Sequence, residues 1–543
     1  MPGVILENLS GRKLFVLVCI LAILQTTCFL IGGLIAPSPS TADSVLAQKC
    51  LSNDTSRVFY NRDSKGAQTK EGCPNIISKI DSKVQVANQI VFMFQLPNPR
   101  SNMVLDYSRW QQNLLGVLHF DIEYDSTHEM PSDLLLTLDV KLAYRNDEDA
   151  SGDWKIYSQG IVERHLECVA DHKTPGYDYE CKIVPLFELA SLHHDYYVVN
   201  IRLPAELGKP TNADLGRVTD IWLVAINQNG GFTKVWLTMK TAFTPLIILT
   251  MVWFWNRVKQ LNRAPVLLEY MLLSLGATLT FLNLPVELFT LFFELPFMSL
   301  YQDIRQGIFY AALLSFWLVF AGEHLMIQDP TPHHLRTYWK HLSAVAIGCA
   351  SLLVFDLFEK GSQITNPFYS IWVNKLDTNL ALTFIICAGI SASFYFIFLC
   401  YMIWRVFCNI SIKRSALPSM SSVRRLHYEG IIYRFKFLML ATLACAAMTI
   451  IGFILDQVSE GRWKWNEEIE IEFTSAFLTG VYGMWNVYIL ALMILYAPSH
   501  KQWPSEVDLQ SSAADGIELS HISNNEPSEI SLLTSYAKKM FTD

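Results

Sequence analysis

The chain has 543 residues, of which 51% are hydrophobic and 17% are charged, and its mean hydropathy is +0.25. A soluble protein carries about a quarter charged residues, so this composition excludes a wholly soluble protein, a disordered chain and a collagen-like fibre. The net charge of −8 is mild and argues against nucleic acid as a partner.

Apolar residues are concentrated in eight segments that approach the roughly 20 residues a helix needs to cross a bilayer. The segments are Leu14–Ala36, Thr241–Trp255, Val266–Phe293, Ile304–Glu323, His341–Phe358, Leu380–Trp404, Phe437–Leu455 and Phe473–Tyr496. We predict a multi-pass α-helical membrane protein: residues 1–13 precede the first helix (14–36), residues 37–240 form a separate domain, residues 241–496 form a seven-helix bundle, and the polar, acidic residues 497–543 form a disordered tail.

Basic residues indicate the orientation, because Lys and Arg of short loops stay on the cytoplasmic side. The loop after the sixth segment carries seven basic residues between Arg405 and Lys436, whereas the loop after the seventh is acidic. Arg12 and Lys13 precede the first segment. We therefore expect both termini in the cytoplasm and residues 37–240 in the lumen or outside the cell.

The first segment has two interpretations. A basic pair followed by an apolar run is also typical of a cleaved signal peptide, but the run is longer than a signal core of about 7–15 residues. Pro37 also makes the end of the run a poor cleavage site. An uncleaved signal-anchor helix is the favoured interpretation.

Period-two stretches in residues 37–240 predict β-strands, because alternate side chains of a strand share one face. In Leu136–Tyr144 the apolar residues fall on one face and the polar residues on the other. Gln89–Leu96, Gly116–Tyr124, Tyr196–Leu203 and Thr219–Asn227 are similar. The lumenal domain is predicted to be all-β, with a sandwich and a barrel both open.

Four cysteines, Cys50, Cys73, Cys168 and Cys181, lie in this domain. An oxidising compartment would pair them, and of the three connectivities sequence proximity favours Cys50–Cys73 with Cys168–Cys181. Zinc is the weaker alternative, because no close Cys-x-x-Cys pair is present. Asn53 begins an Asn-Asp-Thr acceptor for N-glycosylation.

Motifs of membrane enzymes are missing from the sequence. It contains no Gly-x-Ser-x-Gly elbow, Walker-type loop, His-Glu-x-x-His or Asp-His-His-Cys. The pairs His193-His194 and His333-His334 lie in polar sequence and are interpreted as solvated surface histidines rather than metal ligands. We expect no enzymatic activity, no cofactor and no metal.

Polar residues inside the third segment have two interpretations, because such residues are costly in hydrocarbon and face a cavity or a partner. Pro285 should kink the helix, and Asn283 and Glu287, four residues apart, share a face. They either form a polar wall of a transmembrane cavity, or Glu287 pairs with a base such as Arg305. Asp303 and Arg305 can also be interpreted as a helix-start pair.

Six blocks of sequence resemble the Wntless family of Wnt carriers, and the resemblance extends from residue 1 to about residue 501. The blocks are Gly230–Trp236 (GGFTKVW), Asp303–Tyr310 (DIRQGIFY), Thr365–Trp372 (TNPFYSIW), Val423–Gly430 (VRRLHYEG), Phe435–Leu440 (FKFLML) and Tyr496–Lys501 (YAPSHK). The resemblance implies a lumenal β-domain joined to a bundle similar to that of G-protein-coupled receptors.

The resemblance also implies a function. Its cargo would be Wnt proteins carrying a monounsaturated acyl group, collected in the endoplasmic reticulum and escorted through the Golgi to the cell surface. Tyr428 to Ile431 resembles the family's tyrosine-based endocytosis signal, which implies clathrin adaptors and retromer-type sorting machinery as partners and endosomes as a further location. A signalling receptor for a lumenal or extracellular ligand is the alternative.

We expect the acyl chain to enter the bundle from the lumenal side near segments four to six, while the β-domain binds the protein portion. The polar candidates for this cavity are Asn283 and Glu287. The aromatic candidates are Phe309, Tyr310, Phe316, Trp317, Phe368, Tyr369 and Trp372. Helix packing and interfacial belts use the same residue types and are the alternative role for each.

Overall fold

The computed structural model describes residues 4–9, 11–51, 59–60, 90–99, 105–127, 129–149, 153–170, 174, 176–205, 211–261, 263–325, 338–371, 373, 375–416, 432, 436–449, 451 and 474–499. Several residues singled out above lie outside these ranges. They are Asn53, Cys73, His333, His334, Trp372, Tyr428 and Ile431.

The strands between residues 40 and 228 form a β-sandwich of two antiparallel sheets. Its strands are β1 (Ser40–Leu46), β2 (Gln48–Leu51), β3 (Ile90–Leu96), β4 (Gln112–Glu123), β5 (Asp133–Arg145), β6 (Lys155–Val169), β7 (Glu180–Cys181), β8 (Val184–Ser191), β9 (Tyr196–Arg202) and β10 (Arg217–Gln228). One sheet has the order β1-β10-β4-β8, and the other has the order β2-β3-β9-β5-β6-β7. Because the strands form two separate sheets, the domain is a sandwich and not a barrel.

The core of the sandwich is built from the alternating apolar residues. Leu136, Leu138 and Val140 of β5 are fully buried against residues such as Phe120 and Leu223 of the other sheet. The five predicted strands correspond to β3, β4, β5, β9 and β10. The alternation therefore located the strands that carry the inter-sheet core.

A disulfide joins Cys168 of β6 to Cys181 of β7, as expected from their proximity in the sequence. Cys50 of β2 is also disulfide-bonded and is fully buried. The expected partner of Cys50, Cys73, lies outside the described residues.

Eight helices correspond to the eight predicted segments. They are α1 (Gly11–Leu30, continued by a π-helical turn at Ile31–Ile35), α2 (Gly230–Lys259), α3 (Leu267–Asn283), α4 (Met298–Leu325), α5 (Trp339–Gln363), α6 (Lys375–Ala416), α7 (Lys436–Thr449) and α8 (Thr474–Leu495). Within the described residues, seven are long and apolar enough to cross a membrane, and α7 is shorter. The chain is a multi-pass membrane protein.

Two helices differ from the predicted segments. The second begins at Gly230 rather than Thr241, directly after β10, so the β-domain ends at Gln228 and not at Lys240. The Asn229 side chain caps α2 by accepting the Gly231 N–H at 2.8 Å. The third segment breaks next to Pro285, as expected, and continues as a 3₁₀ helix at Val286–Leu291.

The first helix packs closely against the last. A Cβ atom at Gly483 of α8 would lie 2.5 Å from the Cys28 sulfur, and a Cβ at Gly480 would lie 2.2 Å from the Phe29 ring. Glycines at these positions let the helix backbones approach each other. Past the ends of the two helices, the Ile5 N–H donates to the Ala497 carbonyl at 2.9 Å, so both chain segments lie on the same side of the bundle.

The sandwich rests on the bundle through the segment between α5 and α6. Phe368 of this segment is buried in the core of the sandwich. Arg164 of β6 donates to the Phe368 carbonyl at 2.5 Å, and the Glu188 N–H donates to the Pro367 carbonyl at 3.0 Å. The Gln112 side chain of β4 also donates to the Thr290 hydroxyl at 3.1 Å, which ties the sandwich to the 3₁₀ helix after α3.

Candidate functional site

A buried ion cluster lies at the end of the bundle that faces the sandwich. The Glu287 Oε1 atom is 2.5 Å from Lys240 Nζ of α2 and 2.5 Å from Arg305 Nη2 of α4. Arg305 also donates to the Leu284 carbonyl at 2.9 Å. One carboxylate thus pairs with two cations. Of the two interpretations of Glu287, the geometry agrees with pairing to a base such as Arg305. The sequence did not indicate Lys240 as the second partner.

Asp303 and Arg305 do not form a helix-start pair. Helix α4 begins five residues before Asp303, at Met298, so both lie inside the helix. Their side chains have different partners: Arg305 pairs with Glu287, while Asp303 pairs with Lys360 of α5 at 2.5 Å.

Asn283 is the centre of a buried hydrogen-bond network. Its side-chain amide donates to Asn486 Oδ1 at 2.6 Å and its Oδ1 atom accepts the Tyr482 hydroxyl at 2.8 Å. The Thr244 hydroxyl of α2 donates to its carbonyl at 3.0 Å. This network joins α3, α8 and α2, so Asn283 connects helices in the structure.

The aromatic candidates of α4 pack inside the bundle. Phe309 and Phe316 are fully buried, and the Phe309 ring lies 5.4 Å from the ring of Trp485 on α8. The Trp317 indole donates to the Tyr488 hydroxyl at 3.2 Å, and Tyr310 is half-buried beside Trp485. Phe309, Tyr310 and Trp317 connect α4 to α8.

The structure does not bring the α4 aromatics together with those of the segment between α5 and α6. Phe368 belongs to the core of the sandwich rather than to the bundle. The Tyr369 hydroxyl donates to Asp377 at 3.4 Å, near the start of α6. The six aromatic candidates that the structure describes therefore do not line one slot.

A different set of residues lines an apolar groove of about 510 Å³ between α4, α5 and α6. Its apolar walls are formed by Leu318, Ile347, Ile390, Phe394, Tyr395 and Phe398. Ile347, Ile390 and Phe394 are more than half exposed, so the groove opens on the outer surface of the bundle. We call this cavity the α4–α6 groove.

Hydroxyl groups beside the α4–α6 groove are used within the protein. The Tyr395 hydroxyl donates to the Leu314 carbonyl at 3.0 Å, and the Ser391 hydroxyl donates to the Ala344 carbonyl. The His341 ring stacks on Phe398 with centroids 3.8 Å apart. Because these two hydroxyls have partners, the apolar walls of the groove present a surface that suits a hydrocarbon ligand.

Small residues on α5 are a feature of the sequence that could have indicated this groove. Ala344 and Gly348 are four residues apart on α5, and a Cβ atom at Gly348 would lie 3.3 Å from the Ser391 hydroxyl of α6. Small residues spaced by four let membrane helices approach closely. We selected aromatic residues of α4 as candidates instead, and in the structure these side chains pack between helices.

A second cavity, of about 370 Å³, lies between the sandwich and the ends of α4 and α5 that face it. We call it the seam cavity. Its lining includes Tyr144, Tyr157, strand residues Glu188–Ser191, Glu294 and Lys360. The cavity is more polar than the α4–α6 groove, and it is closed on one side by strand β8.

His194 borders the seam cavity and is buried, contrary to the prediction of a solvated surface residue. Its ring stacks on Tyr144 at 3.7 Å, and its Nδ1 atom lies 3.0 Å from Asn146 Oδ1. Burial lowers the pKa of His194 to about 4, with smaller contributions from neighbouring positive groups. Within the described residues no group of three or more His, Cys, Asp and Glu side chains is placed to hold a metal.

The lowered pKa of His194 predicts a pH dependence of stability. Below its ordinary pKa of about 6.5, the unfolded chain binds a proton that the folded chain accepts only near pH 4. Stability should therefore decrease as the pH falls from about 6.5 to 4. Melting curves over this range should show a smaller decrease for His194→Gln than for wild type, and equal slopes would contradict the prediction.

Two family models match the chain. The Wntless GOLD domain matches residues 48–228, and the Wntless-like transmembrane domain matches residues 229–500. Their junction coincides with the passage from β10 to α2.

Curated relatives match along the whole chain. "Protein wntless" of Drosophila mojavensis is 55% identical over 569 aligned positions that cover 100% of both chains. "Protein wntless" of Drosophila grimshawi is 54% identical with the same coverage. That of Drosophila persimilis is 55% identical and covers 99% of this chain and 100% of its own length. The chain belongs to the Wntless family.

Proposed function

We propose that this protein is a carrier for lipid-acylated Wnt proteins. It binds them in the lumen of the endoplasmic reticulum and Golgi, escorts them to the cell surface for secretion and returns by endocytosis. Membership in the Wntless family supports the role in Wnt secretion. The observation that carries the mechanism is an apolar groove in the bundle below a lumenal β-domain.

Burial of the acyl chain supplies the energetic reason for a carrier. A dozen or so methylenes exposed to water cost on the order of 10 kcal/mol, at ~0.8 kcal/mol each. The α4–α6 groove offers Ile347, Ile390 and Phe394 as apolar contacts. Because neighbouring hydroxyls already have partners, the chain would enter without stripping polar groups of their hydrogen bonds.

The groove and the seam cavity share α4 and α5, which provides a route for one ligand to contact both. On α5, Ile347 lines the groove and Lys360 lines the seam cavity. Their separation of thirteen positions corresponds to about 20 Å of helix at a rise of 1.5 Å per residue. A long acyl chain covers such a distance, so the attached polypeptide would lie at the lumenal domain.

Co-purification of Wnt with the full-length protein tests the proposal. Wild-type Wnt and an acylation-deficient Wnt are expressed with the carrier, and the bound amounts are compared. We expect at least tenfold more of the acylated form, because the acyl chain supplies most of the apolar contact. Equal recovery of the two forms would contradict a lipid-dependent carrier.

We further propose that α1 is retained and that both termini are cytoplasmic. The packing of α1 on α8 and the contact of Ile5 with Ala497 support this topology. Asn53 is then lumenal and glycosylated, whereas Asn8-Leu-Ser and Asn409-Ile-Ser are cytoplasmic and unmodified. Glycosidase treatment should shift the wild-type band but not that of Asn53→Gln; a glycan at Asn8 or Asn409 would contradict the topology.

Return from the surface is proposed to depend on the segment from Tyr428 to Ile431, which would bind a clathrin adaptor, with retromer-type machinery sorting the protein from endosomes. Such signals bind as a short extended segment whose tyrosine and apolar residue fill separate pockets. Tyr428→Ala should raise the surface fraction measured by biotinylation. Unaltered uptake would exclude this signal.

A further inference from the structure

The segment between α5 and α6 enters the sandwich with two residues. Phe368 is 4% exposed and packs in the core between the two sheets, and Pro367 beside it is also buried. We call Pro367 and Phe368 the plug. Its backbone is bound as well: Arg164 Nη2 of β6 donates to the Phe368 carbonyl at 2.5 Å, and the Glu188 N–H of β8 donates to the Pro367 carbonyl at 3.0 Å. Both sheets of the sandwich therefore hold the plug.

Arg164 is a buried cation that bonds to backbone carbonyls. Besides the plug, its guanidinium donates to the carbonyls of Pro185 at 2.7 Å, Leu186 at 3.2 Å and Glu163 at 2.8 Å. Among the described residues, no carboxylate pairs with it. Burial of a cation without a carboxylate is costly, and a planar guanidinium fixes the positions of its acceptors. Arg164 thus holds β6, β8 and the plug in one rigid junction.

Hydrogen bonds continue from the plug to both flanking helices. The Gln363 side chain of α5 donates to the Tyr369 carbonyl at 3.4 Å, and the Tyr369 hydroxyl donates to Asp377 of α6 at 3.4 Å. The Thr378 hydroxyl of α6 donates to the Ile371 carbonyl at 3.2 Å. Asp377 and Thr378 lie in the first turn of α6. The position of the plug therefore determines the position of the start of α6.

Helix α6 is a peripheral wall of the α4–α6 groove. Only 22% of its apolar span is buried, and only 11% of that of its neighbour α5, against 78% for α8. Away from the plug, α6 is bonded to α5 by Ser391 and to α4 by Tyr395, whose hydroxyl donates to the Leu314 carbonyl at 3.0 Å. Tyr395 lies about 25 Å along the helix from Thr378, at a rise of 1.5 Å per residue. Two contacts this far apart fix the tilt of a helix, whereas one does not.

We propose that Arg164 and Phe368 are positioning residues for the acyl chain. The sandwich holds the plug, the plug fixes the tilt of α6, and this tilt sets the width of the α4–α6 groove. The inference rests on the proposed carrier function, which places the acyl chain in that groove. Neither residue lines the groove, so both act through α6. Binding of lipid in the bundle therefore depends on a residue of the sandwich.

Binding of a free fatty acid tests the inference in the full-length protein without Wnt. A photoreactive monounsaturated fatty acid is added to the protein in lipid nanodiscs, and labelling of the α6 peptide that contains Phe394 is quantified by mass spectrometry. We expect Phe368→Ala to reduce this labelling about fivefold, the lower end of the coupling usual between distant sites. Phe368→Leu keeps an apolar plug and should restore the labelling.

Two further variants complete the experiment. Arg164→Lys keeps the cation but not the planar fork, so it should also reduce the labelling. Phe292→Ala removes a phenylalanine that is 71% exposed at the end of the 3₁₀ helix and is the matched control. It should label like wild type.

Hydrogen exchange of wild type is a second measurement that does not depend on the variants folding. Coupling between two sites is reciprocal, so fatty acid in the groove should slow exchange of the Glu188 amide, which donates to the plug, by about fivefold. If α6 of wild type is labelled but this amide exchanges at an unchanged rate, or if Phe368→Ala labels like wild type, the positioning inference is wrong and the carrier function stands. If α6 of wild type is not labelled, the groove is not the acyl site and the inference is overturned with it.

Discussion

Replacement of Glu287 by glutamine should destabilise the folded protein by about 3–5 kcal/mol, because it leaves two buried cations without their carboxylate. Lys240 and Arg305 are both at most 3% exposed and share the Glu287 Oε1 atom. Glutamine keeps the volume but removes the charge. The measurement is the thermal unfolding of the purified protein in lipid nanodiscs, with the amount of membrane-inserted protein as a second readout.

Two further variants separate charge from other effects. Glu287→Gln combined with Lys240→Met removes one cation along with the carboxylate, and it should recover part of the lost stability. Glu294→Gln changes a neighbouring acid that is exposed and should leave the melting temperature near wild type. A melting temperature for Glu287→Gln equal to that of Glu294→Gln would contradict a stabilising ion cluster.

Replacement of Ala344 by tryptophan should reduce the binding of acylated Wnt at least tenfold, because the indole would fill the α4–α6 groove. Ala344 lines this groove where α5 faces α6. A loss of about 1.4 kcal/mol already corresponds to tenfold in affinity, and displacement of only a few methylenes exceeds it at ~0.8 kcal/mol each. The measurement is the ratio of acylated Wnt to carrier after co-purification.

Ala346→Trp is the matched control for this experiment. Ala346 is exposed on the same helix two residues away and does not line the groove. The same substitution there should leave Wnt recovery near wild type. Equal losses for the two variants would indicate a general effect on α5, and unaltered recovery for Ala344→Trp would place the acyl chain elsewhere.

Local patterns in the sequence predicted much of the architecture. Leu136–Tyr144 lies in β5, and its period-two pattern arises because one face of this strand is buried. Strand β6 was missed although its C-terminal half alternates in burial, because Arg164 lies on its buried face and Ile161 on its exposed face, which interrupts the apolar pattern. The apolar runs likewise located the helices, since a bilayer demands the same composition of each.

Residues whose environment depends on distant contacts escaped prediction. We predicted that α2 begins after Lys240, because a single cation is unfavourable in an apolar helix. In the structure Lys240 lies inside α2 and pairs with the carboxylate of Glu287, 47 positions along the chain. We predicted that Phe368 lies near the bundle, because its loop follows α5. In the structure the sandwich docks on this loop and buries Phe368 in its core. Neither partner is visible in local sequence.

The candidate site was predicted at the level of segments and not of residues. Segments four to six, where we expected the acyl chain, border the groove proposed for it, and the walls of that groove come from residues such as Ile347 and Phe394 rather than from Phe309 or Phe316. Helical periodicity alone does not distinguish a side chain that faces a neighbouring helix from one that faces a gap. That distinction depends on how far α5 and α6 diverge from α4.

The most direct test of the carrier mechanism is to identify what the acyl chain touches. Wnt carrying a photoreactive fatty acyl group is bound to the full-length protein, irradiated and digested, and the cross-linked peptides are identified by mass spectrometry. Our account predicts cross-links to the peptides of α5 and α6 that contain Ile347 and Phe394, reduced in Ala344→Trp and retained in Ala346→Trp. Cross-links confined to the sandwich, or the absence of any cross-link to the protein, would contradict this account.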